Sequence, residues 1–187
     1  RPAAGRRPEC PRPAARGCHV TQHDPALLDR ARRVRLLVLD VDGVLTDGRL
    51  HITADGEATK VFHVRDGSGI VAVQRAGIAV AIISGRDSPA VTRRAAELGI
   101  RHVRQGIADK RAALDEILRE LQITADALAC VGDDTPDVPM LERAILAVAV
   151  ADAHATARAA AHWTTPAAGG HGAVREVCDL LLTAHGT

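Results

Sequence analysis

A chain of 187 residues, 47% apolar and 25% charged, has the composition of a folded globular domain and the length for one core rather than two. No run approaches the roughly 20 apolar residues of a membrane helix, and one Trp, one Phe and no Tyr exclude an aromatic stacking platform for single-stranded nucleic acid. The net charge of +1 conceals an asymmetry, because residues 1–33 hold eight Arg against three acids while the remainder is net acidic.

Residues 1–33 read as a basic Arg/Pro-rich leader, with disorder expected over 1–19, where Pro, Ala, Gly and Arg leave no periodic apolar face. The leader lacks the continuous apolar stretch of a secretory signal, and its few cations argue against a nucleic-acid or membrane-surface arm. A short helix is predicted over 24–33, opening at Asp24 with Pro25 in its first turn. Residues 34–39, VRLLVL, are an apolar run without polar alternation, the pattern of a strand buried on both faces in a parallel sheet. It ends in Asp40 and Asp42. Burying an unpaired carboxylate is expensive, so two of them at such a strand tip point to a cation or to catalysis at the carboxyl edge of a sheet.

Two β-leaning runs, 49–53 and 59–64, flank Ala-Asp-Gly-Glu and predict a hairpin. A helix over 65–76 leads to a second buried strand, 78–83, closed by Ser84-Gly85-Arg86. A helix over 87–98 and a short strand at 100–103 follow. Residues 109–121 place Leu114, Ile117, Leu118 and Leu121 on one helical face, with Lys110 at its start. A third apolar strand, 127–131, ends in Gly132-Asp133-Asp134. Helices near 137–144 and 152–160, a strand at 145–150, a final helix at 173–182 and a flexible end at 184–187 complete the chain. Alternating strands and helices predict an α/β domain over 34–183, a doubly wound, Rossmann-like parallel sheet. Of four cysteines without CxxC spacing, Cys10, Cys18, Cys130 and Cys178, the last two read as buried thiols, so the cytoplasm is the expected location.

The three strand ends sort chemically. Carboxylates at 40, 42, 133 and 134 suit a hard cation, and the Ser84 hydroxyl and Lys110 ammonium suit an anion; together they read as metal-assisted phosphoryl transfer. Each piece also has a plainer reading. Asp133 and Asp134 could cap the next helix, Ser84 could cap the one after it, and Lys110 could be merely solvated. Arg65 and Arg86 suit a carboxylate or phosphate, or are simply exposed surface arginines. Trp163 reads as packing, and the nine histidines show no metal spacing.

In combination, DVDGVLTDG, the hairpin, VRDGSGI, ISGR, Lys110, GDDTPD, AVAVADAH and AGGHGAVREVCDLL resemble the haloacid dehalogenase (HAD) phosphatase superfamily. Within it they resemble the phosphatases of 3-deoxy-D-manno-octulosonate 8-phosphate (KDO 8-phosphate), which act in lipopolysaccharide precursor synthesis. The resemblance implies a HAD fold and an aspartyl-phosphate intermediate on Asp40, with Asp42 as general acid and base. It also implies magnesium held by Asp40, the main-chain carbonyl of Asp42 and Asp133, supported by Asp134 and Asp137. Ser84, Gly85 and Lys110 would hold the phosphoryl group, and Arg65 and Arg86 the substrate. The segments between the motifs are too short for a cap domain. The resemblance instead implies a homotetramer in which neighbouring hairpins complete each site and residues 169–176 form a tail reaching a neighbour. Ser68 stands where many relatives carry an aromatic residue. Related motifs serve nine-carbon keto-sugar acid 9-phosphates and, in another class, non-catalytic oligomerisation modules.

Overall fold

The unbroken Leu-Leu-Val-Leu of β1 (Leu36–Leu39) is buried at every position, the pattern of a strand in a parallel sheet covered by helices on both faces, and it has a parallel neighbour on each side. Leu36 stands opposite Ala79 of β4 (Ala79–Ile83) and opposite Leu128 of β6 (Leu128–Gly132). The computed structural model describes residues 24–54 and 56–187. The disorder expected over 1–19, together with Cys10 and Cys18, lies outside the described residues, as does Asp55 of the hairpin turn.

The sheet is completed by β5 (His102–Arg104), β7 (Leu146–Ala149) and β8 (Trp163–Thr164), in the all-parallel order β5-β4-β1-β6-β7-β8. From β1 the chain builds outward through β4 and β5, then returns to β1's other flank with β6 and builds outward again. The direction of winding therefore reverses between β1 and β6, and the crevice at such a reversal is where open α/β sheets take their ligands. Strand β8 was not expected: two residues carry no periodicity, and only pairing with β7 makes them a strand.

Three helices pack side by side on one layer: α1 (Pro25–Arg32), α7 (Ala173–His185) and α2 (Val64–Arg75). The remaining helices are α3 (Pro89–Glu97), α4 (Lys110–Leu121), α5 (Val138–Leu141) and α6 (Ala155–Ala160); α5 packs between α4 and α6. Asp24 caps α1 as its sequence signal predicts, accepting from the Ala26 N–H. Two boundaries move. Helix α1 belongs to the domain and not to the leader, since Leu27 and Ala31 are buried and Arg30 donates to the Ile145 carbonyl. Helix α7 runs on through His185 to a left-handed Gly186, taking in residues expected to form a loose end. Cys130 and Cys178 are free, buried thiols.

The hairpin is displaced from its predicted register. Its strands are β2 (His51–Thr53) and β3 (Gly56–Thr59), and the β-branched run expected to supply the second strand, 59–64, instead leads out of the hairpin into α2. Between β1 and β4 the chain has space for this hairpin and one helix, so no cap domain stands over the sheet edge.

Candidate active site

Three adjacent strands, β4, β1 and β6, deliver their carboxyl ends side by side. Asp40 follows β1 directly, and its N–H continues the ladder by donating to the Val131 carbonyl. Its side chain is buried and meets the ammonium of Lys110, 2.6 Å from Oδ1. The same ammonium lies 2.6 Å from Oδ1 of Asp137. Lys110 is thus no solvated helix residue: it is buried at the first position of α4 and clamped between two buried carboxylates from different strands' loops.

Asp137 is the joint of the arrangement. While Oδ1 holds Lys110, Oδ2 accepts from the N–H groups of Asp133 and Asp134 at 3.0 and 3.2 Å, closing the loop after β6. Its close seat over the strand end depends on Gly132, where a Cβ would fall 2.5 Å from that of Asp137. Asp134 is exposed and accepts from the Thr135 N–H in a capping box with Asp137. The capping reading therefore holds for Asp134, while Asp133 is turned the other way.

Carboxylate oxygens of Asp40, Asp133 and Asp137 lie within 4.8 Å of one another. Three carboxyl groups sharing one ammonium leave an excess of negative charge, which adds to burial in raising two of them. Burial, then Asp137, raises Asp40 to about 6. Burial, then Asp40, Asp137 and Asp134, raises Asp133 to about 8. Burial alone would lower Lys110, but Asp40 and Asp137 overcome it and raise it. A hard divalent cation with oxygen ligands is the species that such a set lacks, so the residues present fit magnesium. Since both oxygens of Asp137 are committed to hydrogen bonds, Asp40 and Asp133 are the carboxylates left to bind it directly.

Asp42 is not part of this cluster. Its Oδ1 pairs with Lys60 at 2.5 Å and its Oδ2 stands 3.6 Å from Arg86 Nε. Lys60 carries no motif signal, and a lysine beside an exposed hairpin reads as solvated; its side chain is nevertheless buried against Asp42. Ser84 is buried at the end of β4, and its Oγ accepts from the Arg86 N–H at 3.2 Å. Gly85 is exposed beside it. Arg65 is exposed in the first turn of α2, with no hydrogen bond or ion pair among the described residues.

The loop after β1 is fixed from behind. At Gly43 φ is +98°, a conformation that side chains disfavour, and a Cβ there would come 2.1 Å from Asp133 Oδ2. Gly169 presses on the same glycine, for a Cβ at 169 would lie 1.7 Å from the Gly43 carbonyl oxygen. Gly170 donates to the Val44 carbonyl, and the Asp66 carboxylate accepts from the Arg175 N–H at the start of α7. Residues 169–176, expected to reach a neighbour as a tail, rest on their own chain's acidic loop and run into α7.

Known proteins share this framework. A family model described as haloacid dehalogenase-like hydrolase matches residues 103–177. The chain is 49% identical over 162 residues to the 3-deoxy-D-manno-octulosonate 8-phosphate phosphatase of Salmonella typhimurium, covering 87% of this chain and 86% of that one. The crystal structure of the Yersinia pestis phosphatase of the same name superposes with a TM-score of 0.85 at 46% identity, covering 87% of this chain and 88% of that one. The Moraxella catarrhalis phosphatase superposes equally well, TM-score 0.85 at 41% identity over 88% of this chain and 94% of that one. Its structure is a complex with a magnesium ion, a phosphate ion and a KDO molecule.

Proposed function

Because the chain belongs to the haloacid dehalogenase-like hydrolases, among the KDO 8-phosphate phosphatases, we propose that it hydrolyses KDO 8-phosphate to KDO and phosphate with magnesium. One observation carries the chemistry: a buried ammonium clamped between Asp40 and Asp137, with Asp133 beside them, at the reversal of the sheet. Asp40 and Asp133 would hold magnesium together with the Asp42 carbonyl, and its contribution is to draw charge from the phosphoryl oxygens.

A carboxylate oxygen of Asp40 attacks phosphorus and the bond from phosphorus to the sugar oxygen breaks. Asp42 supplies the proton that this oxygen needs to leave as an alcohol. Water then attacks the aspartyl-phosphate, Asp42 takes its proton, and free phosphate departs from a regenerated Asp40. Lys110 and Ser84 steady the phosphoryl oxygens as charge spreads over them. Arg86, beside Asp42, and Arg65, exposed at the start of α2, face the sugar acid as cations.

With no cap domain, the crevice needs another cover, and the chain's exposed apolar residues support one. Leu50, Ile52, Val61 and Val64, on and beside the hairpin, are 43%, 68%, 62% and 77% exposed. We place these residues at the centre of a homotetramer whose neighbouring hairpins complete each site. Among the described residues no helix is long and apolar enough to cross a membrane, and the two free thiols suit a reducing cytoplasm.

Phosphate release from KDO 8-phosphate, compared with a nine-carbon keto-sugar acid 9-phosphate, tests the assignment. Preference for the eight-carbon substrate is the expected result, and preference for the longer one overturns it.

A further inference from the structure

Lys60 follows β3 directly, in a part of the chain whose other side chains are largely open to solvent, yet its own side chain is only 2% exposed. An ammonium is costly to bury unless a carboxylate meets it. Here the partner is Asp42, at 2.5 Å. The two aspartates after β1 therefore have an ammonium each: Lys110 holds Asp40, and Lys60 holds Asp42. The other oxygen of Asp42, Oδ2, is shielded from solvent and has no hydrogen-bond partner among the described residues, Arg86 Nε standing 3.6 Å away, beyond hydrogen-bond reach. One oxygen is fixed by a hydrogen bond and the other, with only the Arg86 cation at ion-pair distance, accepts none, the arrangement a side chain needs if it is to exchange a proton first with a sugar oxygen and then with water.

We propose that Lys60 is a positioning residue for proton transfer, holding Asp42 Oδ1 so that Oδ2 stays directed to the reacting group, and coupling the base of the hairpin to the chemistry. The inference rests on Asp42 being the proton donor. A carboxylate free to rotate would spend much of its time misdirected, and misplacement of a reacting group is costly in rate.

The test compares kcat/KM of the magnesium-loaded enzyme on KDO 8-phosphate and on 4-nitrophenyl phosphate. This ratio reports the steps up to cleavage of the ester, where a nitrophenolate leaves unprotonated and a sugar oxygen does not. Lys60→Met is expected to lose about 10- to 100-fold on the sugar phosphate with KM little changed, and less than about threefold on the aryl phosphate. Lys60→Arg should restore most of the loss, and Asp42→Asn should show the same selectivity more deeply. Magnesium affinity of Lys60→Met, read by calorimetry, should stay within about twofold of the parent. Melting curves accompany each variant, with Lys60→Gln replacing the methionine variant if that one does not fold. No selective loss in Asp42→Asn overturns the proton-donor reading itself. Selective loss there but not in Lys60→Met overturns the role of Lys60 alone. Equal loss on both substrates, or a raised KM for the sugar acid with kcat intact, makes Lys60 a phosphate or carboxylate ligand and likewise overturns it.

Discussion

Replacing Asp133 by Asn should make the metal-free protein more stable at alkaline pH, although it removes a residue essential to the proposed reaction. Carboxylate oxygens of Asp40, Asp133 and Asp137 lie within 4.8 Å, where each like-charge pair repels by about 3 kcal/mol at an effective dielectric near 20. The Asp133 carboxyl, raised from 3.8 to about 8 chiefly by burial, holds its proton in the folded chain and loses it in the unfolded chain across that window. The folded state therefore binds more protons, and stability falls as pH rises from about 4 to 8, by at most about 1.4 kcal/mol per pH unit. Asp133 is only half-buried, and solvent screening reduces the total over the window to about 2–3 kcal/mol. Urea unfolding in the presence of a chelator at pH 5, 6.5 and 8 measures this. Parent and Asp133→Asn should nearly coincide at pH 5 and separate at pH 8, with the variant the more stable. Magnesium should then raise the parent far more than the variant. Parallel curves, or a variant less stable at pH 8, would refute the burial and crowding of carboxylates on which the metal assignment depends.

Asp40→Asn should lower phosphate release by about a thousandfold or more while the melting curve keeps its shape. Lys110→Met strands two buried carboxylates and should cost about 3–5 kcal/mol in the metal-free protein, part of it recovered on adding magnesium, as read by thermal melts with and without the ion. Gly169→Ala would drive a methyl group into the Gly43 carbonyl at 1.7 Å; calorimetry should show weakened magnesium binding because the displaced loop carries Asp40 and packs on Asp133. Ile52→Lys, on the exposed face of the hairpin, should reduce the mass seen by native spectrometry, and an unchanged mass would detach the hairpin from assembly.

The sheet was legible because buried parallel strands declare themselves as apolar runs, and the chemistry at their tips because charge at the end of such a run is hard to place otherwise. Asp40, Asp42 and Asp133 were singled out in this way, and Lys110 by its place at the start of the helix before the third of these strands. What the sequence concealed came from tertiary contact. The run 59–64 is richer in β-branched residues than Gly56–Thr59, yet β2 pairs with Gly56–Thr59, so propensity does not set the hairpin's register. Lys60 looks solvated until its pairing with Asp42 across the hairpin base is seen. The glycine-rich stretch at 169–172 reads as a loose tail because nothing local reveals that its missing side chains are needed for contact with a loop more than a hundred residues earlier.

That contact has a consequence for how the protein is made. The loop bearing Asp40 is synthesised more than a hundred residues before Gly169, Gly170 and the helix that anchors them. A nascent chain halted before them would hold the proposed nucleophile without the wedge that sets its loop, and should stay catalytically silent until α7 has cleared the ribosome.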